Sequence, residues 1–74
     1  MPKIPQISGK NLVKVLEKIG YFVVRQRGSH IRMHHENRWP ITVPNHKILG
    51  TGLLRKILRD AELTTEDLLQ LLKK

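Results

Sequence analysis

Gly20 separates two hydrophobic periods that no single element of secondary structure can satisfy. Before it, Leu12, Val15, Leu16 and Ile19 recur at i, i+3, i+4 and i+7, one apolar face of a helix running from Ser8 to Ile19. After it, YFVVRQR is rich in β-branched and aromatic side chains and shifts to a period of two, the pattern of a strand. Gly20 suits the left-handed residue that closes a helix, and Ser8 the cap that opens one. Gly28-Ser29 then divides the β-rich stretch as a two-residue hairpin turn with glycine first. HIRMHH becomes the second strand. ENR can turn the chain again, and WPITVP makes a third strand whose Pro40 must stand at its start or on an edge, because proline has no N–H for a ladder.

Beyond Pro44, NHKILGTG reads as a loop. Thr51 is expected to cap a helix from Gly52 to about Ala61, with Leu53, Leu54, Ile57, Leu58 and Ala61 buried and Arg55, Lys56 and Arg59 left outside. Thr64 with Asp67 forms a capping box, Leu63 with Leu68 a hydrophobic staple, and a short last helix follows. The order α-β-β-β-α with a C-terminal helical addition implies an α+β fold: an antiparallel three-stranded sheet with helices on one face and the other face free for a ligand. With 74 residues and no internal repeat, a single domain over 1–74 is expected, too small to enclose a large cavity. Any site should be shallow. Phe22 and Ile57 are expected in the core, where truncation would unfold the chain.

The absence of cysteine removes disulfides and thiolate metal sites. No stretch is apolar and long enough for a membrane span, and the opening MPKIP is too polar for a signal peptide, so a soluble cytoplasmic chain is the expectation. Residues 1–59 hold twelve basic and two acidic side chains, a net of +10, whereas residues 60–74 hold two basic and four acidic, a net of −2. So concentrated a positive field favours a polyanion, because each neutralised phosphate releases condensed counterions. Solubility is the bland alternative. An acidic membrane surface fits poorly without an aromatic and basic amphipathic helix.

The hairpin RQRGSHIRMHH concentrates the candidate chemistry. A turn at Gly28-Ser29 sets Arg27 opposite His30, Arg25 opposite Arg32 and Val23 opposite His34, all on one face, while Phe22, Val24, Gln26, Ile31, Met33 and His35 share the other. Two arginines placed opposite each other cost a few tenths to about 1 kcal/mol, which an anionic partner would relieve; splaying of the side chains into water is the competing account. His30, exposed beside Arg27 on a rigid turn, can accept the proton of an RNA 2′-hydroxyl while arginines stabilise charge on the phosphoryl oxygens. On the residues alone, a phosphate hydrogen bond without catalysis explains His30 at least as well.

The remaining candidates carry weaker signals. His30 and His34 lie about 13 Å apart along a strand at ~3.3 Å per residue, too far to share one ion, so no metal or other cofactor is expected. Ser29 lacks the histidine–carboxylate support of a nucleophile and reads as a turn residue. Gly50-Thr51-Gly52 before a helix offers a phosphate seat. Arg55 and Arg59, one turn apart, can meet a second run of phosphates or simply face water. Trp39 shares the parity of Ile41 and Val43 and is expected to cover the core or an edge rather than stack on a base.

SGKNLVKVLEKIGYFVVRQRGSHIRMHH followed by ITVPNHKILGTGLLRKILRDAELT resembles the HicA toxins of bacterial and archaeal HicA–HicB toxin–antitoxin pairs over about Ile7 to Glu66. The Gly-Ser-His turn, the Val-Pro-x-His segment containing His46 and the GTGLLRKIL helix start come in the family's order. The resemblance implies a double-stranded-RNA-binding-domain-like fold, a type II toxin that cleaves messenger RNA, and a HicB-type antitoxin that covers the active site. It also implies that His30 is the catalytic histidine and that Gly28 and Ser29 belong to its motif. Glu62 stands where the family usually has glycine, so a different closure of the second helix is expected there.

The leading expectation is a metal-independent endoribonuclease that uses His30 as general acid and base, with Arg25, Arg27, Gly28, Ser29, Arg32, His34, Thr51 and Arg55 on RNA. A non-catalytic RNA-binding module of the same fold is the alternative, and a cationic surface for an acidic protein partner a third. Major-groove DNA reading fits less well, because the most basic surface is a sheet.

Overall fold

A computed structural model describes residues 3–73. Its elements are α1 (Gly9–Lys18), β1 (Phe22–Arg27), β2 (His30–His34), β3 (Ile41–Pro44), α2 (Thr51–Asp60) and α3 (Thr65–Leu72). The strands form one antiparallel sheet in the order β1-β2-β3. The architecture is α+β, in the order expected and compatible with a double-stranded-RNA-binding-domain-like fold.

Alternation along β2 divides the molecule. Ile31 and Met33 are buried and share one core with Ile41 and Val43 of β3, Leu12, Val15 and Leu16 of α1, and Leu54, Ile57 and Leu58 of α2. His30 and His34 are exposed and Arg32 is half-buried on the opposite face. Leu68 completes the core from α3, which packs on α1. Gly9 permits this closure: its N–H donates to the His46 carbonyl at 2.9 Å, and a Cβ there would overlap the Pro44 carbonyl oxygen. The first turn of α1 is thereby held against the end of β3.

Local chemistry marks the helix boundaries. The Ser8 hydroxyl accepts the Asn11 N–H at the start of α1. At its end, Gly20 takes φ 103°, its N–H donating to Glu17 O and that of Tyr21 to Leu16 O. This paired closure satisfies carbonyls that the helix leaves open. The capping box of Thr64 and Asp67 forms as expected, with bonds of 2.9 and 3.0 Å. For α2 the expectation needs correction: Thr51 is its first residue, and Gly50 occupies the cap position without a side-chain hydrogen bond. Leu53 lies 37 % exposed and does not join the buried face.

The end of α2 is not closed differently for lack of glycine. Glu62 itself adopts the left-handed conformation, φ 60°, with its N–H on Arg59 O and that of Leu63 on Leu58 O. The same closure as at Gly20 is therefore made by a residue with a Cβ, which carries a steric cost there.

Two residues expected in or over the core lie outside it. Phe22 is 53 % exposed and Trp39 is 72 % exposed. For Phe22 the reason is a β-bulge between Val23 and Arg25, which adds a residue to β1 and reverses the parity of everything before it. Val23 pairs with Met33 and Phe22 with His34, in place of the expected Val23–His34 pairing. The parity of Trp39 does not carry back from Ile41, because β3 begins only after Pro40. Its carbonyl accepts the buried Tyr21 hydroxyl at 2.9 Å. Burial pushes the Tyr21 phenol above its usual pKa, with the nearby Asp60 and Glu62 carboxylates adding to the rise and Arg38 opposing it. The hydroxyl therefore remains a donor.

Replacing Glu62 with glycine removes the left-handed Cβ penalty, so the Glu62→Gly protein should gain about 1 kcal/mol, a rise in Tm of roughly 4–8 °C by thermal denaturation.

Candidate nucleic-acid interface

β2 has neighbours on both sides, and its first residue is His30. His30 pairs with Arg27 on β1 and Pro44 on β3, while the Ser29 carbonyl accepts the Asn45 N–H at 2.6 Å. Gly28 supplies the positive φ of the turn, 53°, and the Gln26 amide donates to its carbonyl at 3.3 Å. The imidazole is thus carried on a turn fixed from three directions. Arg25 faces Arg32 as the hairpin register requires. Arg25, Arg27, His30, Arg32 and His34 accordingly share the open face.

Arg32 is oriented by its neighbour across the sheet: its Nη1 donates to Thr42 Oγ1 at 2.9 Å. A groove of about 410 Å³ runs from this face around the β3 edge to α2, and His30, Arg32, Thr42, Leu53, Lys56 and Asp60 all line it. Lys56 and Asp60 form an ion pair of 3.3 Å between successive turns of α2. A pair so exposed contributes a few tenths of a kcal/mol, little enough for a phosphate to compete for the ammonium. Thr42 and Lys56 were not legible as site residues. Lys56 reads from sequence only as an outward position on its helix, and which outward position meets the sheet depends on how α2 packs.

Thr51 and Arg55 do not line this groove. Together with Lys3, Thr64 and Glu66 they border a separate one of about 820 Å³. Any polyanion that touches both sets must therefore span two surfaces. The other histidines also separate. His35 turns inward and meets Tyr21 in a tilted arrangement, with ring centroids 4.8 Å apart and the planes at 60°. Its Nδ1 accepts the Asn37 N–H at 2.9 Å, which leaves Nε2 to donate to the Ile19 carbonyl at 2.9 Å. Both nitrogens are committed to structure. His46 is exposed, and its backbone carbonyl, not its ring, holds Gly9. Among the described residues, no three His, Asp or Glu side chains gather into a group that could hold a metal ion.

The sequence model described as "HicA toxin of bacterial toxin-antitoxin" matches residues 9–63, from the first residue of α1 to just beyond the closure of α2. The chain belongs to the HicA toxin family. No curated protein matches it. As a HicA toxin it is one half of a toxin–antitoxin system, and a cognate antitoxin is its implied partner. The matched span contains the hairpin, the 410 Å³ groove residues and Glu62, and leaves out all of α3. No helix among the described residues is long and apolar enough to cross a membrane.

If Thr42 orients Arg32 toward a polyanion, Thr42→Val should weaken binding of an RNA used as a probe polyanion roughly threefold, the scale of one hydrogen bond. Arg32→Met should weaken it more, and the double variant should match Arg32→Met alone. Titration of a fluorescent RNA measures all three.

Proposed function

We propose that this HicA toxin is an endoribonuclease that cuts messenger RNA at a phosphate held in the groove between the sheet and α2. The observation that carries this reading is the meeting of His30, Arg32 and Lys56 around one groove: a proton acceptor and two cations, drawn from a central strand and a helix. His30 takes the proton of a 2′-hydroxyl, and the 2′-oxygen attacks the adjacent phosphorus. The bond from phosphorus to the 5′-oxygen breaks, and that oxygen takes a proton from His30 or from water. The products are a 2′,3′-cyclic phosphate and a 5′-hydroxyl. Atoms and protons balance without a cofactor.

Arg32, held by Thr42, and Lys56, exchanged from Asp60, stabilise the charge that builds on the non-bridging oxygens. Arg25 and Arg27 extend the cationic track over the open face, His34 lies at its far end as a further RNA contact, and Gly28 and Ser29 shape the turn. Thr51 and Arg55 take a more distant stretch of the same strand, around the separate groove. Relief of the Arg25–Arg32 repulsion favours any polyanion on this face. A HicB-type antitoxin inhibits by covering the groove and hairpin, competing with RNA for the same cations.

The test incubates wild type and His30→Ala with long single-stranded RNA in the presence of a chelator. Wild type should release fragments ending in cyclic phosphates, and His30→Ala should cut at least about 100-fold more slowly while binding RNA and melting as wild type does. RNA left intact by both proteins, with binding retained, would point instead to a non-catalytic RNA-binding module. Lys56→Met should slow cleavage roughly 10- to 100-fold, and Lys56→Arg should recover most of the loss. Equal rates for wild type and Lys56→Met would remove Lys56 from the mechanism.

A further inference from the structure

The bulge in β1 gives the open face an aromatic side chain that a regular strand would have sent to the core. Phe22 is opposite His34 and 53 % exposed, on the face that carries Arg25, Arg32 and His30. Phe22 and His34 are therefore cross-strand neighbours on the face that carries the arginines. His34 is four residues along β2 from His30, about 13 Å at ~3.3 Å per residue.

An exposed phenyl ring contributes little to folding and leaves apolar surface in water. A flat aromatic ligand carried on an anionic chain would cover the ring and meet the arginines beside it. We propose that Phe22 and His34 form a stacking subsite for an unpaired base of a single-stranded RNA whose reacting phosphate lies at His30. The inference rests on the nuclease reading for the position of the cut and adds the class of substrate. In an A-form duplex the bases are stacked on one another and closed to a side chain on the sheet, so only an unpaired base can lie on this pair. The basic face alone would accept single strands and duplexes alike. The subsite makes the protein prefer a strand whose base is free at a fixed distance from the scissile phosphate, and it does so with little regard to base identity, since every base has a π face.

The test uses His30→Ala as the uncut background. Affinities are measured for a short single-stranded RNA, for the same RNA with one abasic position moved nucleotide by nucleotide, and for a duplex of the same length. One abasic position should weaken binding roughly tenfold, and the others should have little effect. Adding Phe22→Leu should weaken binding of the intact single strand by a similar factor and abolish the positional effect, because leucine keeps apolar area and loses the ring face. Phe22→Tyr should behave as the parent does. A Phe22→Leu protein that is folded by its melting curve and binds single strand, abasic strand and duplex as the parent does overturns the subsite. That result would assign the exposed ring to a protein surface and leave the nuclease reading standing. RNA that fails to bind the His30→Ala parent at all overturns the RNA reading and the subsite together.

Discussion

Hydrogen bonding on both edges of β2 is the constraint on which the rest depends. A strand with two neighbours cannot slip without breaking two ladders, and its side chains must alternate between faces. Ile31 and Met33 go to the core and His30, Arg32 and His34 to the open side. The short β3 then brings Ile41 and Val43 to the same core and Thr42 to Arg32. Core and candidate site are thus the two faces of one five-residue strand. The groove can be precise in so small a chain because its imidazole and its oriented guanidinium stand on the most restrained element present.

The helices serve that strand from both ends. Gly9 lets α1 approach the end of β3, and the closure at Gly20 turns the chain directly into β1. The same closure at Glu62 ends α2 just beyond Asp60, keeping Lys56 and Asp60 in the final turns beside β3. Glu62 bears at that point a steric cost that glycine would not. The C-terminal α3, outside the family match, fills the core with Leu68 but lends no side chain to the groove of His30.

Charge on the open face runs against folding. Arg25 lies across from Arg32, and among the described residues neither has an acidic partner. Such a surface gains from an anion of any kind, and two ligands are in view: the proposed RNA and the antitoxin that the family implies. What separates the two is geometry. A phosphate is small enough to sit in the groove between His30, Arg32 and Lys56, whereas a protein meets the whole face, including the apolar side chains of β1.

Much of this was legible in the residues. Apolar spacing at Leu12, Val15, Leu16 and Ile19, the two turns at Gly20 and Gly28-Ser29, and the capping box at Thr64 are local signals, so they yielded the order of elements, the hairpin register near its turn and the cluster of Arg25, Arg27, His30 and Arg32. The family motif is likewise a linear pattern and led to the toxin class. Tertiary structure decided what linear spacing does not carry. A single bulged residue reversed the parity of β1, moving Phe22 from the expected core to the face of His34. The packing of α2 against the β3 edge chose Lys56 over Arg55 for the groove and left Thr51 at a different one. Those outcomes depend on how whole elements meet, and a period of 2 or 3.6 fixes a side chain only relative to its own element.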